Sequence, residues 1–253
     1  MIKNVHVLKT EGVVLRHTDW GEADRLLVLF TREFGKIRAL AKGVRKLRSR
    51  KAGHIEPFSR STLLLARGRD MWIVTQAELQ EAYQPIRDDL LKTAYALYIL
   101  ELLDKFTYEE GENPGLFRLL VESLERTAKE PDPFLAIRYF EMRLLDLLGF
   151  RPNFFQCVGC GKEIQPENQH FSALQGGVRC PRCGPVPNSR PVSLLALRHL
   201  RHLQRSSYQD AVRLLPPKHI QNEIEALLHH YLTFLLERNL NSPEFLKEIR
   251  DRQ

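Results

Sequence analysis

The 253-residue chain has only four cysteines, three methionines and two tryptophans. So few cysteines exclude a disulfide-dense secreted scaffold, and a chain of this length buries a core without covalent staples. Long apolar runs are also missing. The longest, residues 94–100, is far short of the ~20 residues a membrane span needs. Met1-Ile2-Lys3-Asn4-Val5-His6 offers no apolar stretch for a signal peptide, so cytoplasmic residence is expected. No Walker loop, G-x-G-x-x-G, H-E-x-x-H or G-x-S-x-G is present, and the carboxylates between 81 and 146 are strung along helix surfaces without a catalytic pairing. The chain therefore reads as a non-enzyme. With 43% hydrophobic and 27% charged residues, it is globular rather than disordered.

One stretch is nearly devoid of acid. The net charge is +7, yet residues 36–69 hold eleven Lys and Arg against the single acid Glu56, which leaves the rest of the chain at −3. A mildly acidic protein with one strongly basic stretch has a localised polyanion footprint, which suits nucleic acid or an anionic membrane surface. Lys36, Arg38, Lys42, Arg45, Lys46, Arg48, Arg50 and Lys51 fall within sixteen acid-free residues. Eight such charges repel one another in the free protein, so a bound polyanion explains them better than a solvated loop does. A weaker acid-free segment, 168–209, contains six Arg. Within it Arg198, Arg201 and Arg205 share a helical face with His202, opposite Leu197, Leu200 and Leu203, and could extend the binding path.

Period-two patterning predicts strands at 5–16, 25–31, 36–41, 58–66 and 71–79, the last two a hairpin around Arg67-Gly68-Arg69-Asp70. In the third strand Lys36, Arg38 and Leu40 face one way and Ile37, Ala39 and Ala41 the other. Five short strands suggest a small closed barrel, an OB-fold or an SH3-like one. Trp20, Phe34, Phe58 and Trp72 lie near these strands and read as core more readily than as stacking platforms. Beyond Pro85 the period becomes helical: Leu91, Tyr95, Tyr98 and Leu102, then Ile137, Phe140, Leu144, Leu147 and Leu148, then a run from Ile220 to Leu235. Pro114 and Pro131 are expected at helix starts and Gly149 at a helix end.

All four cysteines fall in a proline-rich segment, 152–191, that interrupts the helical pattern. Cys157-Val158-Gly159-Cys160 and Cys180-Pro181-Arg182-Cys183 form two C-x2-C knuckles at zinc-ribbon spacing, with Gly161 and Gly184 easing the tight backbone after each. Four thiolates fill a tetrahedron and leave no open position, so the expected metal is one structural zinc per chain. Two disulfides are the alternative, and His170 could replace one ligand.

The block Glu11-Gly12-Val13-Val14-Leu15, Gly21-Glu22-Ala23-Asp24-Arg25, Phe30-Thr31, Gly35-Lys36 and Ala41-Lys42-Gly43-Val44-Arg45 resembles the RecO family of bacterial recombination mediators. Leu148-Gly149-Phe150-Arg151-Pro152 leading into Cys157 and Cys160, and the ending Asn241-Ser242-Pro243-Glu244-Phe245-Leu246, are similar too. The resemblance implies an α+β chain: an OB-fold over 1–80, a helical domain over 81–151 and 192–253, and a zinc-finger insertion over 152–191. It also implies binding of single- and double-stranded DNA, strand annealing without ATP, and contact with the tail of single-strand-binding protein. Cooperation with RecR in loading RecA and residence with the nucleoid follow from the same source. A zinc-ribbon RNA-binding or transcription factor is the rival reading, and a metal-dependent hydrolase a third.

Overall fold

The computed structural model describes residues 6–49, 51–109, 111–237, 240 and 242–250. Arg50, Asn241 and the first five residues, including the expected strand start at Val5, lie outside them.

Strands β1 (Val7–Trp20), β2 (Asp24–Thr31), β3 (Gly35–Ala41), β4 (Arg60–Arg67) and β5 (Trp72–Glu81) form a closed barrel in the order β1-β2-β3-β5-β4. Closure comes from a short parallel pairing of β3 with β5, Ala39 opposite Trp72 and Leu40 opposite Ile73. This five-stranded arrangement is an OB-fold rather than an SH3-like barrel. The period-two expectation holds in β3, where Ile37, Ala39 and Ala41 are buried, Lys36 and Leu40 are half-buried and Arg38 is exposed. With Leu27, Leu29, Leu63, Leu65, Trp72 and Val74, these inward residues fill the barrel. β1 runs four residues past the expected end at Arg16. A bulge at Val14/Arg16 resets the register, and polar His17, Thr18 and Asp19 go on pairing with Leu27, Leu26 and Arg25 as one arm of a hairpin.

The β2–β3 turn depends on one glycine. Thr31 Oγ1 accepts from the Phe34 N–H at 3.2 Å and donates to the Gly35 carbonyl at 2.9 Å, while Gly35 takes φ +60°. A Cβ on Gly35 would lie 1.9 Å from the carbonyl oxygen of Gly111, in backbone that cannot simply slide aside. Gly35→Ala is therefore expected to cost about 2 kcal/mol, combining left-handed strain with that clash. Urea denaturation gives the cost; an unchanged midpoint would contradict the close approach.

Among the described residues, four α-helices accompany the barrel. A short α1 (Gln84–Arg87) precedes α2 (Leu90–Phe106), whose first turn is capped by Asp89 accepting from the Lys92 N–H at 3.0 Å. Tyr95, Tyr98 and Leu102 form its buried stripe, as their spacing predicts. α3 (Pro114–Lys129) starts at the expected proline, with Asn113 as its cap. The last helix, α8 (Ser242–Arg250), returns to α2, where Glu101 accepts from the Ser242 N–H at 2.8 Å and Arg250 donates to the Tyr95 hydroxyl.

The chain forms two compact units. One runs to Pro131 and takes in α8, and the other spans Asp132–Leu240. In the second unit α4 (Phe134–Leu147) begins three residues beyond Pro131, with Asp132 accepting from the Phe134 N–H at 3.0 Å. Gly149 follows that helix at φ +81°, the stop its position suggests. Next come β6 (Gln169–Ser172), β7 (Gly177–Arg179) and β8 (Arg190–Val192), a sheet in the order β7-β6-β8. Then follow α5 (Leu194–Arg205), α6 (Tyr208–Ala211) and α7 (Lys218–Leu236). Phe171 of β6 packs edge-on against Tyr231 of α7 at 5.2 Å and beside Phe154 at 6.0 Å, so the cysteine-bearing segment is tied to the helices by an aromatic core.

Candidate nucleic-acid interface and metal centre

The acid-free run on the barrel divides into side chains that are engaged and side chains that are not. Lys36 is only 12% exposed and its ammonium meets the Asp104 carboxylate at 3.1 Å. Arg38 pairs with Glu109 at 2.7 Å. Lys51 turns toward the barrel wall and donates to the Val74 carbonyl at 3.0 Å, and burial lowers its pKa. Arg45 reaches the Asp19 carboxylate at 3.4 Å and the Gly21 carbonyl at 3.5 Å.

That leaves Lys42, Lys46 and Arg48. All three are exposed, and among the described residues no acid pairs with them. They occupy the connection that leaves β3, which is stitched to the β1–β2 hairpin tip. The Asp24 carboxylate accepts from the Gly43 N–H at 2.7 Å, and the Ala23 carbonyl from the Arg45 N–H at 2.9 Å. Glu56, the single acid of 36–69, is held by Arg25 at 2.7 Å and His17 at 3.3 Å, both outside that stretch, so it does not offset these three charges. Burial opposes its ionisation, but the Arg25 and His17 contacts outweigh that and keep its carboxyl below the ordinary glutamate value. The rim at this end of the barrel thus has a backbone pinned at Gly43 and Arg45 and carries three cations that no acid among the described residues offsets.

On α5, Ser193 accepts from the Ala196 N–H, and the Glu223 carboxylate of α7 takes both the Ser193 N–H at 2.6 Å and its hydroxyl at 2.7 Å. Leu197, Leu200 and Leu203 are buried as expected, and Arg198 and Arg205 are exposed. Arg201 has a different role. It donates to the Phe154 carbonyl at 2.9 Å and the Ile164 carbonyl at 3.2 Å, bracing the first cysteine knuckle, and Arg205 lies 3.6 Å from the Phe155 ring centroid.

The four cysteines converge. Their sulfurs all lie within 4.8 Å of one another, and Cys160 Sγ and Cys180 Sγ are 3.9 Å apart. A disulfide needs about 2.05 Å. A tetrahedron with metal–sulfur bonds of ~2.3 Å puts sulfurs roughly 3.8 Å apart, which this spacing fits. His170, on β6 opposite Arg179, is not part of the cluster.

Both knuckles turn at glycines with positive φ, Gly161 at +74° and Gly184 at +63°. Arg179 locks the second knuckle by donating to the Gly184 and Cys183 carbonyls, both at 2.9 Å. Burial disfavours a Cys157 thiolate, yet backbone N–H groups, those of Cys180 at 3.3 Å and Gly159 at 3.4 Å among them, prevail and bring its pKa down to about 6. Hydrogen bonds that share the Cys183 thiol proton with the sulfurs of Cys160, Cys180 and Cys157 push that thiol up to about 12. A dication among the four sulfurs would take the place of that shared proton, so the donor set suits a soft divalent metal.

A closed OB barrel with a cationic rim, followed by a helical unit that carries a four-sulfur knuckle pair, defines a class of barrel-and-finger proteins. The chain belongs to the RecO family: the models described as Recombination protein O N terminal and C terminal match residues 5–83 and 87–244. It is 38% identical over 245 residues to the DNA repair protein RecO of Roseiflexus sp. (strain RS-1), covering 96% of this chain and 86% of that one. It is 35% identical to the RecO of Dehalococcoides mccartyi (strain CBDB1), with 97% of both chains covered. The RecO of Bacillus pumilus (strain SAFR-032) is 37% identical, over 96% of this chain and 94% of that one. Membership assigns the chain to DNA repair and recombination. No helix among the described residues is long and apolar enough to cross a membrane.

The eight barrel charges look alike in the sequence, because Asp104 and Glu109, which engage Lys36 and Arg38, come from a distant part of the chain. Trp20, whose residue type favours core, is instead 52% exposed. The available signal was its place before Gly21, at a hairpin tip.

Proposed function

We propose that this protein is a recombination mediator that binds single- and double-stranded DNA and anneals complementary strands without ATP. The cationic rim Lys42, Lys46 and Arg48, which has no acidic partner among the described residues and lies on a barrel of the RecO family, is the observation that carries this reading. Annealing makes and breaks no covalent bond. Two phosphate backbones repel, and a surface that neutralises them while leaving bases accessible lowers the encounter barrier, with base pairing supplying the net free energy. The protein is then not an enzyme, and its work lies in the cytoplasm, on the nucleoid. By the same reading it acts with RecR and with the tail of single-strand-binding protein, and through them aids the loading of RecA. Cys157, Cys160, Cys180 and Cys183 would hold one zinc per chain, which serves as a cross-link because four thiolates close its coordination.

Competition binding tests the reading: a labelled single strand should be displaced by unlabelled single-stranded DNA and by duplex. Preferential displacement by RNA would favour an RNA-binding factor instead. Lys36 and Arg38 are already neutralised by Asp104 and Glu109. Replacing both with alanine is therefore expected to change the slope of log affinity against log salt by less than the roughly 0.7 that one phosphate contact contributes. A change near twice that value would show that both leave their carboxylates for DNA.

A further inference from the structure

We propose that Trp20 is a base-stacking residue: a single strand of DNA lying along the cationic rim sets a base against the Trp20 indole. This rests on the reading of the rim as a DNA-binding surface and adds the group that engages bases rather than phosphates.

The fold accounts for three of the four aromatic side chains singled out near the barrel strands. Trp72 is 3% exposed, sits in the barrel core and has the Arg67 guanidinium 5.1 Å from its ring. Phe58 is buried beneath the Arg87 guanidinium at 4.3 Å, and Phe34 packs against the barrel core. Trp20 differs: it ends β1, is 52% exposed, and among the described residues no ring or cation lies against it. A half-exposed indole keeps a flat apolar face and an N–H open to a partner, the combination for which tryptophan is enriched at interfaces.

Its position is fixed. The three residues Gly21, Ala23 and Asp24, just beyond Trp20, are each bonded to the connection that carries the free cations. Arg45 donates to the Gly21 and Ala23 carbonyls, and the Gly43 N–H donates to Asp24. The hairpin tip is thereby held beside Lys42, Lys46 and Arg48. Leu47, fully exposed, interrupts the same cations with a second apolar group.

Charge complementarity selects the occupant. Three uncompensated cations call for a polyanion, and an exposed flat ring beside them calls for one whose own flat faces are free. Single-stranded DNA has both, whereas a duplex keeps its base faces stacked inside. Trp20 thus favours single strands over duplex, while the cations serve both.

The test uses the full chain with a dye-labelled oligothymidylate, following anisotropy and tryptophan emission together. The chain has two tryptophans, one of them buried, so quenching on binding should come from Trp20 and vanish in Trp20→Phe. Trp20→Ala should weaken single-strand binding roughly 5- to 150-fold, with the salt slope unchanged and blunt duplex affinity within about twofold. Trp20→Phe should keep most of the affinity.

Normal anisotropy binding without quenching, and with Trp20→Ala at wild-type affinity, would overturn the stacking role and leave the rim's DNA binding intact. Equal weakening toward duplex would overturn it too, as would a change in oligomeric state in Trp20→Ala measured by sedimentation. Failure of the unmodified protein to bind either DNA would instead remove the functional reading on which the proposal rests.

Discussion

Replacing Lys42, Lys46 and Arg48 together with alanine is expected to reduce the salt slope of single-strand binding by roughly 2 and to lower affinity at low salt at least tenfold. The slope follows from counterion release, about 0.7 per phosphate neutralised on a single strand, taken over three cations. These three are exposed and among the described residues have no acidic partner, so their charge is available to phosphate without breaking an internal pair. Their removal should also leave the fold intact, because the connection is held by the Gly43 N–H on the Asp24 carboxylate and the Arg45 N–H on the Ala23 carbonyl, which use none of the three side chains. Thermal melting checks that point.

The proposed helix set on α5 gives the comparison. Arg198 and Arg205 are exposed, but Arg201 braces the Phe154 and Ile164 carbonyls. Changing all three to alanine should destabilise the second unit, whereas Arg198 and Arg205 alone should lower the slope less than the barrel set. Wild-type affinity and slope in the barrel variant would move the principal DNA surface elsewhere.

Cys180→Ser is expected to abolish tight zinc binding. Structural four-ligand sites in small fingers hold zinc with an apparent 10–16 kcal/mol at neutral pH, and removing one thiolate opens the tetrahedron. Cys180 also donates its N–H to Cys157 Sγ at 3.3 Å and supplies the carbonyl that accepts from Gly184, so it belongs to both the metal shell and the second knuckle. Protease cleavage within 157–184 should become faster while the barrel's own unfolding is unchanged, since the barrel and the finger belong to separate compact units. Zinc should also leave the unmodified protein as pH falls, because each released thiolate takes up a proton. Metal analysis with thiol titration decides the matter. Substoichiometric zinc with four freely titrating thiols, in protein purified without chelator, would contradict the site.

What the sequence revealed was local. The inward triplet Ile37, Ala39 and Ala41 was legible because strand pleating repeats every two residues, and the knuckles because each pair of sulfurs converges within one turn. A closed barrel was expected from five short strands, but which strands close it was not legible, since the Ala39–Trp72 and Leu40–Ile73 pairings are parallel and leave no turn signal between them. The quenching of Lys36 by Asp104 was hidden for a related reason: the partners are 68 residues apart, and charge counts in a window do not register them. Arg201 looked like its neighbours on the same helical face, and only the carbonyls brought beside it distinguish it. Trp20 is the converse case, an aromatic whose type predicts burial and whose place at a hairpin tip leaves it in solvent.

Annealing of two complementary oligonucleotides, in buffer without ATP or magnesium, tests the central claim most directly. The bare strands and strands coated with single-strand-binding protein form its two arms. The proposal predicts that the unmodified protein accelerates duplex formation in both, that added nucleotide changes nothing, and that the Lys42, Lys46 and Arg48 variant loses most of the effect. Acceleration that appears only with ATP, or none on bare strands at low salt, would contradict it.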